Sequence, residues 1–172
     1  MILEPPESAA LGAVVEAVSR EPRARSVHLV GGAVRDRLLH GVWSTGPDLD
    51  LVIEGDAHAV ARRLPGDVVL HDPFGTATWR SPEGDVDLVT ARTENYARPG
   101  ALPDVEPADL GADLLRRDVT LNAIALRLWP LPAGVLVDPQ GGVGDLQARL
   151  LRALHPRSFA DDPTRIVRLA RY

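Results

Sequence analysis

The sequence predicts an α+β fold. Three observations carry that prediction. Short apolar runs alternate with segments of helical spacing up to residue 64, the pair Gly31-Gly32 joins one strand-like run directly to a helical one, and three strand-like runs then follow one another with no helix between them. A regular parallel α/β winding would keep placing a helix between strands.

In chain order, Ser8 precedes an apolar-periodic stretch (Leu11, Val14, Val15, Val18) that stops near Pro22, so a helix N-capped by Ser8 is expected. SVHLV (26–30) has the length and apolarity of a buried strand, Gly31-Gly32 breaks it, and AVRDRLL (33–39) has helical spacing ended by Gly41. LDLVI (49–53) is the next strand, and Asp56 can cap a helix AHAVARRL (57–64). DVVLH (67–71), TATWR (76–80) and DVDLVTA (85–91) read as three further strands. Residues 93–110, with their Pro-Gly and Leu-Pro breaks, read as a loop. The stretch LGADLLRRDVTLNAIALRL (110–128) reads as helical, VLVD (135–138) as a strand, PQGGVGD as a glycine-rich turn and LQARLL (146–151) as a helix. A last helix is expected to start near Asp161, with Arg165, Arg168 and Arg171 on one side and Ile166, Leu169 and Ala170 on the other. It reaches Tyr172 without a cap, so a chain that continues further is expected.

Composition excludes several classes. The chain is 45% hydrophobic, yet it has no uninterrupted apolar run of the ~18 residues that a membrane span needs. The opening MILEPPES has neither a basic nor an apolar signal region, and no cysteine is present for a disulfide, a thiolate metal site or a thiol nucleophile. A cytoplasmic protein is expected. The net charge of -5 is uneven: residues 1–115 hold 10 Arg against 19 acids, and residues 116–172 hold 9 Arg against 5. An acidic catalytic half and a basic half able to meet phosphates fit this asymmetry, and so does an arginine-rich helical surface.

The stretch PDLDLVI (47–53) concentrates the chemistry. On a strand, Asp48 and Asp50 point to the same face while Leu49 and Leu51 point to the other. Two like charges held side by side call for a cation between them. Hard oxygen ligands completed by phosphate oxygens suit Mg²⁺, and in a two-metal site one ion activates the attacking hydroxyl while the other neutralises the leaving pyrophosphate. Solvated alternation on an edge strand, or the D-x-D of a sugar-nucleotide transferase, gives the same pattern. Asp85 and Asp87 repeat the spacing, and Asp87 could bring a third carboxylate. Gly31-Gly32 at a helix start can admit phosphate to backbone amides or simply make a tight turn, and Arg35 lies one turn on.

LVGGAVRDRLLHG (29–41) followed by PDLDLVI resembles the signature of the class II tRNA nucleotidyltransferases, the CCA-adding enzymes and the bacterial poly(A) polymerases that share their head domain. LLRRDVTLNAIAL (114–126), DPQGGVGDLQARLLRAL (138–154) and DDPTRIVRLARY (161–172) resemble further motifs of that family, in its order. The resemblance implies a polymerase-beta-like nucleotidyltransferase head, a mixed sheet flanked by helices, over residues 27–154. An N-terminal helical extension (1–26) would precede it, and the start of a helical neck (155–172) would follow.

It also implies roles. Asp48 and Asp50 would be the metal-binding catalytic carboxylates, with Asp87 the third, working with Mg²⁺ in a two-metal arrangement. Gly31, Gly32 and Arg35 would hold the triphosphate, and Arg116, Asp118 and Asn122 the sugar and phosphates of the incoming nucleotide. Asp162 and Arg165 would read the nucleobase without a template. An acceptor and a donor fork one turn apart can complement cytosine or adenine, whereas a mismatched edge would leave buried polar atoms unpaired at ~1–3 kcal/mol each. CMP or AMP would pass from CTP or ATP to the tRNA 3′ end with release of pyrophosphate. Val119 and Asp161 depart from the family pattern, which favours an aromatic and a glutamate there. Family members continue into helical regions that grip tRNA, so tight tRNA binding is expected to need parts outside these 172 residues. Addition of CC only, A only or a poly(A) tail, and a nucleotide- or RNA-binding module without turnover, are the alternatives. The uncompensated carboxylates argue against the last.

Overall fold

The computed structural model describes residues 1–43, 49–72 and 74–170. Helix α1 (Ala9–Ser19) starts where the Ser8 side chain accepts the Leu11 N–H, and Glu83 accepts the Ser8 hydroxyl and the Ala9 N–H from across the sheet. Strand β1 (Ala24–Val30), helix α2 (Gly32–His40), strand β2 (Leu49–Gly55) and helix α3 (Ala57–Ala61) follow, then β3 (Asp67–His71), β4 (Thr76–Ser81) and β5 (Gly84–Thr90). Strands β6 (Arg92–Asn95) and β7 (Asp104–Pro107) form a separate hairpin. The chain closes with α4 (Leu110–Leu115), a 3-10 turn (Thr120–Asn122), β8 (Ala125–Trp129), β9 (Leu136–Val137), α5 (Gly142–Ala148), α6 (Ser158–Asp161) and α7 (Thr164–Leu169).

Among the described residues, seven strands make one mixed sheet in the order β3-β4-β5-β2-β1-β8-β9, in which β2 and β5 run parallel and the other pairs antiparallel. Each face has its own core. Leu29, Leu51, Ile53 and Leu88 pack with Leu11, Val14 and Val18 of α1 and Val60 of α3. Residues 1–26, set apart in the sequence, thus supply part of the main core. On the opposite face Val30, Val52 and Ala125 pack against Leu110 and Leu114. Full burial of such side chains contributes about 1.5–3 kcal/mol each. Asp50 alternates with Leu49 and Leu51 and so shares the face of Val52, at the open end of the smaller core.

Four expectations need correction. The loop expected over 93–110 contains the β6–β7 hairpin, paired from Arg92↔Pro107 to Asn95↔Asp104. Pro103 and Pro107 bound β7 instead of interrupting it, as prolines do on edge strands. The helix expected over 110–128 is helical only to Leu115, and residues 125–129 form β8 beside β1. Ala125, Leu126 and Leu128 are all buried, and a short apolar run without alternation does not tell strand from helix. The helix expected at 146–151 instead spans Gly142–Ala148: Asp138 accepts the N–H groups of Gly142 and Val143 at its start, and Arg149 (φ 53°) ends it. The last helix, expected to start near Asp161, starts at Thr164, because Asp162 (φ -133°, ψ 93°) and Pro163 separate it from the short α6 that ends at Asp161. Its buried residue is Arg165, 3% exposed, while Ile166 is 57% and Val167 72% exposed.

Candidate functional site

The end of β1 fixes the site. Val30 pairs with Asp50, and the next residue, Gly31, takes φ 73° and ψ -139° to turn the chain into α2. A Cβ at Gly31 would stand 3.3 Å from Asp50 Oδ2 and 3.8 Å from Arg117 Nη1. Backbone therefore comes close to the carboxylate in a way only glycine allows. On the other side of β2, Asp50 is in register with Asp87 of β5. Asp48, the partner expected for Asp50, lies outside the described residues.

A cleft of about 1220 Å³ opens from this point. Gly31, Gly32, Arg35, Asp50, Arg116, Asp118, Asn122, Asp162 and Arg165 all line it. Asp87 lies next to Asp50 but outside that lining. A continuous polar chain runs along the cleft. Arg35 donates through Nε to Asp36 Oδ1 (2.8 Å) and through Nη1 to Asn122 Oδ1 (2.8 Å). Asn122 Nδ2 donates to Asp118 Oδ1 (3.0 Å), and Arg168 joins Asp118 (3.4 Å) to Asp162 (3.1 Å). The turn after β1, the RRD segment and α7 are thereby linked by side chains distant in sequence.

The opposite wall is a braced arginine cluster. Buried Asp113 accepts two bonds from Arg116, at 2.9 and 2.7 Å, and one from Arg117 at 3.0 Å. Glu94 accepts from Arg116 (2.8 Å), Arg92 (3.1 Å) and the Tyr96 hydroxyl (2.8 Å). Arg165 donates to the carbonyls of Arg116 (2.6 Å) and Arg117 (3.2 Å) and to Ser158 Oγ (2.7 Å). It therefore locks the start of α7 onto the RRD segment. Among the described residues, the Nε atoms of Arg92, Arg117 and Arg165 are buried with no hydrogen-bond partner. Apart from those inward-facing atoms, the fixed guanidinium groups of Arg92, Arg116 and Arg117 line the cleft, and such a wall suits a polyanion.

Environment sets the protonation states. Partial burial works to raise the Asp162 carboxyl, but hydrogen bonds from Thr164 and the charges of Arg168 and Arg165 outweigh it and hold the group below its usual range. Burial, then the bond to Glu94, pushes the Tyr96 phenol up to about 12, so it stays a neutral donor. Burial lowers His28, under the site in β1, to about 4.

The cleft also rests on Arg92, Glu94, Tyr96, Asp113, Arg117 and Arg168, to which the sequence alone assigns no site role. Two signals were present. In RTENY, Arg92, Glu94 and Tyr96 alternate as on one strand face, and in DLLRR, Asp113 stands three and four residues before its two arginines.

A family model described as the Poly A polymerase head domain matches residues 27–152. Over 152 residues the chain is 51% identical to a Halalkalibacterium halodurans protein named A-adding tRNA nucleotidyltransferase, covering 86% of this chain and 35% of that protein. Over 150 residues it is 48% identical to a Deinococcus radiodurans protein named CC-adding tRNA nucleotidyltransferase, covering 83% and 39%. A solved tRNA nucleotidyltransferase, complexed with a primer tRNA and an incoming ATP analog, matches with a TM-score of 0.70 at 40% identity, over 85% of this chain and 40% of that one. The chain spans little more than a third of the length of these relatives.

Proposed function

Because this chain belongs to the poly(A) polymerase head domain family, we propose that it carries the catalytic head of a template-independent tRNA nucleotidyltransferase. It moves CMP or AMP from CTP or ATP to a tRNA 3′-hydroxyl and releases pyrophosphate. The single observation behind this reading is the position of Asp50, in register with Asp87, against the Gly31 turn, and at the mouth of an arginine-walled cleft. Residues 27–154 act as the head and residues 155–172 as the start of a neck, after an N-terminal helical extension.

Nucleotidyltransferases of this kind generally use a divalent metal. The donor set fits: Asp50 and Asp87 offer hard oxygens on neighbouring strands, and Asp48 stands two residues before Asp50. We assign Mg²⁺ there, in a pair. Bound, such ions would lower the pKa of the attacking hydroxyl and neutralise the leaving pyrophosphate.

The chain's own groups do the rest. The open backbone of Gly31 and Gly32 lets the triphosphate approach the start of α2, with Arg35, Arg116 and Arg117 offering charge. Asp118 and Asn122, already bonded to each other, orient the sugar. Asp162 and Arg165 read the base, and the lowered carboxyl of Asp162 keeps it an acceptor. The hold of Arg165 on the carbonyls of Arg116 and Arg117 ties base reading to the arginines that meet the phosphates. Among the described residues no helix is long and apolar enough to cross a membrane, in keeping with action on tRNA in the cytoplasm.

The test uses the protein expressed from its whole gene. tRNA transcripts ending before CCA, after the first C and after the second C are each offered labelled CTP or ATP with Mg²⁺. Incorporation confirms the reading, and the pattern separates CC, A and full CCA addition. A lack of incorporation on every transcript refutes it and leaves a binding module.

A further inference from the structure

The row of side chains that starts at Asp50 continues outward across the sheet. Asp50 on β2 pairs with Asp87 on β5, Asp87 with Thr78 on β4, and Thr78 with Val69 on β3, two residues from His71 and on the same face. The Thr78 hydroxyl donates to Asp87 Oδ1 at 2.7 Å. His71 Nε2 stands 3.1 Å from that hydroxyl oxygen. A threonine has one hydroxyl hydrogen, and the carboxylate takes it, so Nε2 is the donor to Thr78. His71 therefore fixes the rotation of the hydroxyl that fixes Asp87.

Resting on the proposed function, we infer that Thr78, oriented by His71, is a positioning residue for the carboxylate of Asp87. It holds Oδ1 and leaves Oδ2 for the reacting groups. The neighbouring acid shows the contrast. Asp85 is in register with Arg80, whose guanidinium donates to Asp67 at 2.9 Å, so an arginine stands between two acids on that row. Asp87 instead receives a neutral hydroxyl, which orients a carboxylate while leaving its negative charge in place for the reaction. A hydrogen bond to a charged acceptor is strong enough to set one rotamer on an otherwise open strand surface.

The experiment compares Thr78→Val, Thr78→Ser, His71→Ala and His71→Gln, with Arg80→Gln as a control away from the site. Single-nucleotide addition to a tRNA primer is measured with Mg²⁺ for the protein expressed from its whole gene, beside thermal melts. Thr78→Val keeps shape and strand preference but loses the donor. Its kcat is expected to fall about tenfold while the nucleotide KM stays within about twofold, as for a lost hydrogen bond to a charged group. Thr78→Ser and His71→Gln, which keep the donors, should restore most of the rate, His71→Ala should lose a few-fold, and Arg80→Gln should match the unaltered protein. The Tm of Thr78→Val should not move by more than about 2 °C. A Thr78→Val protein with unchanged kcat, or one in which serine fails to rescue, overturns the inference while the function stands. An unaltered protein that transfers nothing overturns the site reading and the role of Thr78 together.

Discussion

Gly31→Ala separates what the backbone needs from what the chemistry needs. The native φ of 73° with ψ of -139° lies where only glycine is comfortable, so alanine costs about 1–3 kcal/mol in strain. In a chain of 172 residues, that lowers the Tm by about 3–9 °C. The new methyl also stands 3.3 Å from Asp50 Oδ2, so the carboxylate must give by a few tenths of an ångström. Small misplacements of reacting groups can cost up to about 100-fold, and a loss of about tenfold in kcat is expected here. Gly41→Ala is the matched control: its φ is 77° but its ψ is -2°, and a Cβ there meets nothing within 4 Å. It should lose about 1 kcal/mol of stability and no activity. The assay pairs circular dichroism melts with single-nucleotide addition well below both melting points. Equal kcat in the two variants would refute the claim that Gly31 is glycine for the sake of Asp50.

Other perturbations act on separate parts of the molecule. Hydrogen bonds from Arg63, then Arg23, hold the Glu21 carboxyl at about 2, so the stability it contributes is complete above its unfolded value near 4.5 and is lost as pH falls toward 2; the gap between the unaltered protein and Glu21→Gln in urea titrations should close across that window. His28 is buried and neutral, with its pKa lowered from 6.5 to about 4, so folding should weaken by roughly 3 kcal/mol as pH falls through that interval, a slope His28→Phe should lack. Arg165→Met strands the carbonyls of Arg116 and Arg117 and should cost roughly 2–4 kcal/mol, with earlier proteolysis after Ser158 than elsewhere. Asn122→Ala cuts the link between Arg35 and Asp118 and should raise the nucleotide KM about tenfold, measured by initial rates at varied CTP and ATP.

Local chemistry was legible where a single residue type dictates a conformation. Ser8 and Asp56 cap the helices they were expected to cap, Gly41 ends α2, and the Gly31-Gly32 break sits at the site. The alternation of PDLDLVI correctly put Asp50 opposite the main core. What failed was period. Ala125 packs into the smaller core while Leu126 and Leu128 pack into the main one, so β8 is covered on both faces, and its short apolar stretch, broken only by Arg127, was compatible with a helix. Arg165, to which the resemblance gives base reading, has a structural partner set that no local pattern shows: carbonyls from Arg116 and Arg117, about fifty residues upstream, draw it inside. The braces around the cleft, Asp113 and Glu94, acquire meaning only once the β6–β7 hairpin stands beside α4.

The most direct test of the central claim separates binding from transfer in Asp50→Asn. The substitution keeps size and strand geometry while removing one charge from the reacting end of β2. Nucleotide binding, followed by equilibrium dialysis with CTP and ATP, should change by no more than about fivefold, because the arginine wall is untouched. Single-turnover extension of tRNA should fall by at least about a thousandfold, since the carboxylate acts on the reacting oxygens. Extension that survives in Asp50→Asn at more than a tenth of the original rate would contradict the account, and would place the chemistry elsewhere in the cleft.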